Sequence, residues 1–165
     1  SLPMARTALD DFELKAVHDI TGKFWKRRED SILFIIQISR LIEAAYLIRN
    51  EGYSTCKVEK LSIDNMVPKE ILSKGSDLEV IVPFLPHSHD PQDSKDPCLN
   101  LQILFYDTPM HKLLDSFKAL GDLVSVDQKA DITKRWKFHL DLKIFVLILE
   151  SCHLIYVRSG QTLSQ

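Results

Sequence analysis

"RWKFHLDLKIFVLILESCHLIYV", residues 135–157, is the stretch whose reading decides the fold. In its first half Trp136, Phe138, Leu140, Leu142 and Ile144 alternate with polar residues. Alternation of period two puts every second side chain on one face of a strand, so this half is predicted to be a half-buried strand. From Phe145 to Val157 both faces are apolar, and periodicity allows either strand or helix.

The same pattern recurs upstream. "LNLQILFYD", residues 99–107, reads as another strand. In "DLEVIVPFLP", residues 77–86, Leu78, Val80 and Val82 share a face, and Pro83 places the strand at a sheet edge or at its own end. "CKVEKLSI", residues 56–63, is a less regular strand. Helices are predicted between them: a short one over Lys69–Ser73 with Pro68 in its first turn, and one opened by Pro109 and closed by Gly121. "PHSHDPQDSKDP" reads as a flexible, polar loop over 86–98, long for a compact domain.

The N-terminal part is helical. Leu9, Phe12, Ala16, Ile20 and Phe24 recur at helix spacing over 7–28. The strongest helix runs over 31–50, with Asp30 as its N-cap and Gly52 at its C-terminal end. Phe34, Ile38, Leu41, Ala45 and Ile48 mark one face, and Ile32, Ile35, Ile36, Ile42 and Leu47 widen it. A helix apolar on most sides is central and must be covered by its own chain or by a partner. The resulting plan is α+β: N-terminal helices followed by a mixed sheet with interspersed helices. It divides into a helical arm over 1–29 and a single α+β domain over 30–165.

Composition narrows the function classes. The 165 residues are 45% hydrophobic and 27% charged, as in a globular domain, and the net charge of -2 provides no global field toward nucleic acid or anionic membrane. Cys56, Cys98 and Cys152 are odd in number and widely spaced, which suits a reducing compartment rather than a disulfide or zinc framework. Leu2–Arg6 is too short for a signal peptide, and Arg40 and Glu43 interrupt the most apolar run. An intracellular protein, nuclear or cytoplasmic and without a membrane span, is expected.

Asp77 and Glu79 stand at i and i+2 in one predicted strand, and Asp141 lies in another. Three carboxylates so placed can hold metal ions for phosphoryl transfer. The order of parts, with "SDLEVIV" and "HLDLKIF", resembles the N-terminal half of the polymerase-β-type nucleotidyltransferase fold over about 31–150. It is most similar to catalytically degenerate members, the DZF domains of double-stranded-RNA-associated zinc-finger proteins, whose "ADLVVIL" and "HLDIKV" strands match these two. The resemblance implies Asp77, Glu79 and Asp141 as metal ligands in an active member. The Gly-Ser phosphate signature of that family should fall near Ser62–Asp64, where "LSIDN" has no glycine. GxSxG, P-loop, HExxH and GxGxxG motifs do not occur.

Three functions follow. The preferred one is a non-catalytic protein-interaction domain, for dimerisation or docking in a larger intracellular assembly associated with nucleic acid, without cofactor or metal. Its interaction residues are Phe34, Ile38, Leu41, Ile42, Ala45, Ile48, Phe145 and Ile148, the apolar faces seeking cover. The alternative is a metal-dependent nucleotidyltransferase using Asp77, Glu79 and Asp141. The third is an RNA-binding module using Lys23, Trp25, Lys26, Arg27 and Arg28 of "KFWKRR", where cations stand beside aromatics that stack on bases. His87, His89, Asp93, Asp96 and Cys98 are metal-ligand types, but on a loop they read as solvated side chains, and Cys152 reads as a buried, inert thiol.

Overall fold

The computed structural model describes residues 1–18, 28–51, 56–75, 77–125 and 132–162. These form α1 (Leu2–His18), α2 (Arg28–Glu51), α3 (Lys69–Leu72), α4 (Leu78–Ile81), α5 (Pro97–Asp107), α6 (Met110–Ser125) and α7 (Ile132–Thr162). Among the described residues there is no strand, so the expected mixed sheet is overturned and the fold is all-α. No helix of the described residues is long and apolar enough to cross a membrane.

The error in the strand readings has one geometric cause. On a helix, residues i and i+4 lie on nearly the same side, whereas i and i+2 are about 200° apart. An alternating apolar run therefore supplies two helical stripes on opposite faces. In α7, Phe138 and Leu142 are buried while Trp136 and Leu140 are exposed. In α5, Leu101 and Phe105 are buried while Leu99 and Ile103 are exposed. In the 77–86 stretch Leu78, Val80 and Val82 face outward, and Ile81 is the buried residue. Local signals agree with helix: Asp96 caps α5 by accepting the Leu99 N–H at 3.0 Å, and Pro97 follows at its first position. Gly75, with φ of 138°, takes the left-handed turn ahead of α4.

Residues 145–157, undecided from the sequence, continue α7 as helix. Its buried series Phe138, Leu142, Phe145, Ile148 and Leu149 is a 3.6-residue stripe laid against α1, α2, α5 and α6. The ring of Phe145 meets that of Phe117 from α6 edge-on, centroids 5.1 Å apart. Ile38, Ile42 and Ala45 of α2 close the core from the other side. α2 begins at Arg28, so Asp30 lies inside the helix instead of capping it. Gly52, expected at its end, and residues 19–27 lie outside the described residues.

α2 and α6 form the most extensive helix pair among the described residues. Gly121, expected to end α6, lies within it because α2 passes too close for a side chain: a Cβ there would sit 2.6 Å from Cγ1 of Ile35. Gly121→Ala gains about 1 kcal/mol of helix propensity but meets an overpacking cost of about 1–3 kcal/mol. We expect a net loss of about 1 kcal/mol in urea denaturation. In an Ile35→Ala background the same substitution is expected to stabilise, because the obstructing atoms are gone. A stabilising Gly121→Ala in the otherwise native chain contradicts this packing.

Candidate functional site

Three buried polar side chains lie on α7, within or next to the apolar run itself. Glu150, Ser151 and Arg158 are buried, and with Leu147 and Leu154 they recur at three- and four-residue steps on one face. Residues 56–96 pass over that face. Among the described residues they hold short helical pieces, including α3, α4 and 3-10 turns at Ile63–Asn65, Val82–Phe84 and Asp93–Lys95. A segment with so few internal ladders must satisfy its backbone groups elsewhere.

Arg158 supplies part of that need. Its Nη1 donates to the Cys56 carbonyl at 2.7 Å and the Lys95 carbonyl at 3.2 Å. Its Nη2 donates to Ser94 O at 2.7 Å and its Nε to Asn65 O at 3.1 Å. One guanidinium thus ties three separated stretches of chain, and the Val58 N–H bond to Lys95 O at 3.0 Å adds a direct link between two of them. Burial holds Arg158 below the ordinary arginine range, opposed by the nearby Cys56 and Cys98 thiols.

Glu150 organises the other end. Arg6 of α1 forms an ion pair with its carboxylate. The His87 N–H donates to Oε1 at 3.2 Å and the Ser88 N–H to Oε2 at 3.1 Å. Arg6 also donates to the carbonyls of Pro83 at 3.0 Å and Leu85 at 2.9 Å. A buried ion pair is tolerable only when remaining lone pairs and protons are met, and here backbone groups meet them.

Between these charges lies a constellation with the composition of a nucleophile, a base and an orienting amide. Ser151 Oγ is 3.2 Å from His89 Nε2, and His89 Nδ1 is 2.9 Å from Asn100 Nδ2. The hydrogen-bond directions oppose catalysis. His89 Nε2 is 2.9 Å from the Leu147 carbonyl, which only accepts, so Nε2 carries the proton. Nδ1 accepts from Asn100, whose second amide hydrogen goes to Ser151 Oγ at 3.1 Å. The nitrogen facing Ser151 is therefore a donor, and Ser151 itself is fully buried. Surface grooves of 290, 370 and 390 Å³ indent the molecule, and neither His89 nor Ser151 lines them.

The residues singled out from sequence are distributed differently. Asp77 caps α4, its Oδ1 accepting the Glu79 N–H at 3.1 Å, and both residues are exposed. Asp141 lies on α7, where it accepts from Ser116 of α6 and stands 3.8 Å from Lys137. Among the described residues no group of three His, Cys, Asp or Glu side chains is placed to hold a metal ion. Asp90 accepts the Gln92 N–H at 2.8 Å, and Asp96 caps α5. Burial, then the neighbouring Cys56, pushes the Cys98 thiol up to about 12, and burial does the same to Cys152. Ile38, Ile42, Ala45, Phe145 and Ile148 are buried in the chain's own core, with Phe34, Leu41 and Ile48 packed against it. Lys23, Trp25, Lys26 and Arg27 lie outside the described residues, and Arg28 opens α2.

Sequence reading took His89 and Cys98 for solvated loop side chains, whereas the His89 side chain is buried and Cys98 is buried within α5. It missed Arg6, Asn100, Glu150, Ser151 and Arg158. A signal existed for two of them: a charge within or next to a run apolar on both faces requires a buried partner. No protein-family model, curated protein or solved structure matches this chain.

Two outcomes test this site. Arg158→Lys keeps the charge but loses the fork, leaving buried carbonyls unmet at about 1–3 kcal/mol each. We expect a loss above about 2 kcal/mol in denaturant melts, with native-state proteolysis appearing within 56–96; wild-type stability in this variant contradicts the role assigned to Arg158. The second concerns pH. Burial lowers His89 against the pull of Glu150, and burial lowers His153, whose Nε2 donates to Met66 O at 3.0 Å. The unfolded chain protonates near about pH 6.5 while the folded histidines do not. Their contribution is thus complete above that pH and is lost as pH falls below it, by up to about 1.4 kcal/mol per pH unit per histidine. His153→Gln, which keeps a donor for Met66, is expected to show a shallower fall between neutral and mildly acidic pH; an unchanged slope rejects His153 as a source of it.

Proposed function

We propose that this chain is a non-catalytic protein-interaction domain whose contact surface is the outward face of α2. The observation that carries the reading is the exposure of Leu33, Ile36 and Leu47, at 57%, 42% and 61%, on a 24-residue helix whose opposite face is already used in the core. Exposed apolar residues are common singly, but a stripe along one helix supports association. The residues expected to do this from sequence face the other way, so the surface offered to a partner is the complementary one.

The interior network supports the same reading. His89, Ser151 and Asn100 serve to hold chain segments, and the thiols of Cys98 and Cys152 are kept protonated. A nucleotidyltransferase would need Asp77, Glu79 and Asp141 at one ion, whereas Asp77 caps a helix and Asp141 joins α6 to α7. Three free cysteines are consistent with a reducing, intracellular setting.

The test is site-specific photo-crosslinking of the full chain in cells. A crosslinking residue at Leu47 or Ile36 is expected to capture protein, and one at the exposed, polar Glu59 is not. The Ile36→Glu, Leu47→Glu double variant is expected to melt within about 0.5 kcal/mol of wild type, as surface changes do. An α2 face that captures no protein overturns the proposal.

A further inference from the structure

The exposed residues of α2 follow a heptad seam. Leu33, Ile36, Arg40, Glu43, Leu47 and Asn50 succeed one another at steps of three and four, and all six are exposed. The two charges at its centre have no ion-pair partner among the described residues. A seam meant only for solvent has no need of Leu33, Ile36 and Leu47, and one meant for an apolar groove is ill served by Arg40 and Glu43. What the pattern fits is itself, reversed.

Resting on the interaction reading above, we propose that α2 pairs antiparallel with α2 of a second copy of this chain, in the register that sets Arg40 opposite Glu43. That register also sets Ile36 opposite Leu47 and Leu33 opposite Asn50, and each pairing recurs across a two-fold axis passing between Leu41 and Ile42. Every layer joins the first apolar position of one heptad to the second of the other, as antiparallel helices require. The contact spans about 26 Å at a rise of about 1.5 Å per residue. It is isologous, so it closes as a dimer instead of growing into a fibre.

The charges select this arrangement against its neighbours. A parallel pairing in register puts Arg40 against Arg40 and Glu43 against Glu43, and like charges at an interface are costly. Sliding the antiparallel helices by one heptad puts Arg40 against Ile36 in one direction and Glu43 against Leu47 in the other. Either slip buries a charge against an apolar side chain. Specificity of this kind comes from making the alternatives unfavourable.

Sedimentation of the full chain over a concentration series tests the proposal. Wild type is expected to dimerise. Arg40→Glu alone and Glu43→Arg alone each create like-charge layers and are expected to weaken self-association at least about tenfold. Circular dichroism melts of both confirm that the monomer stays folded. An equimolar mixture of the two single variants restores both ion pairs and is expected to form heterodimers, and the Arg40→Glu, Glu43→Arg double variant is expected to dimerise like wild type. A wild-type chain that stays monomeric overturns the inference, as do single variants that dimerise normally or a mixture that does not recover. A monomeric wild type that still crosslinks to protein through Leu47 in cells removes the homotypic pairing alone; absence of those crosslinks removes the interaction reading itself.

Discussion

The fold depends on a guanidinium buried beneath backbone oxygens. Arg158 meets carbonyls of Cys56, Asn65, Ser94 and Lys95, which belong to stretches with little regular structure of their own. Desolvating an arginine is expensive, and the cost is offset only because each N–H donated meets an acceptor that also needs one. Neither side is stable alone: the carbonyls would be orphaned, and the charge would be uncompensated. The pair of Arg6 and Glu150 repeats this logic near the middle of α7, with backbone groups of Pro83, Leu85, His87 and Ser88 filling the remaining positions.

α7 therefore has two duties on different faces. Phe138, Leu142, Phe145 and Ile148 build the hydrophobic core against α2 and α6. Glu150, Ser151 and Arg158 hold residues 56–96 in place. His89 and Asn100 complete the polar layer between them through contacts to the Leu147 carbonyl and Ser151 Oγ. Such a network gives a loop-rich segment one conformation, because partial satisfaction of buried polar groups is worse than none. The likeness to a catalytic constellation is one of composition. Its hydrogen bonds link residues 89, 100 and 151, and Ser151 is buried.

With the core and the loop both served from α7, the outer face of α2 is left with exposed apolar residues. Among the described residues Leu33, Ile36 and Leu47 stay exposed, while Arg40 and Glu43 punctuate them at the centre. On the proposed pairing that stripe would meet a second copy of the chain, with the arrangement of charge selecting the register.

Much of the helical half was legible in residue order. The 31–50 helix, its core face from Phe34 to Ile48, and the helix following Pro109 all follow from 3.6-residue spacing, and the structure contains them. The expected sheet was not legible correctly, because runs such as Leu99–Leu101–Ile103–Phe105 satisfy a strand and also two opposed stripes of a helix. Only packing separates the cases: α7 gives Leu101 and Phe105 a buried place, and Leu99 and Ile103 are left outside. The polar site was hidden for a related reason. His89, Asn100 and Ser151 are far apart along the chain, and each is ordinary in its local context. Their function in the fold arises when residues 86–100 are laid across the middle of α7, since hydrogen bonds depend on distance and direction that order along a chain does not contain.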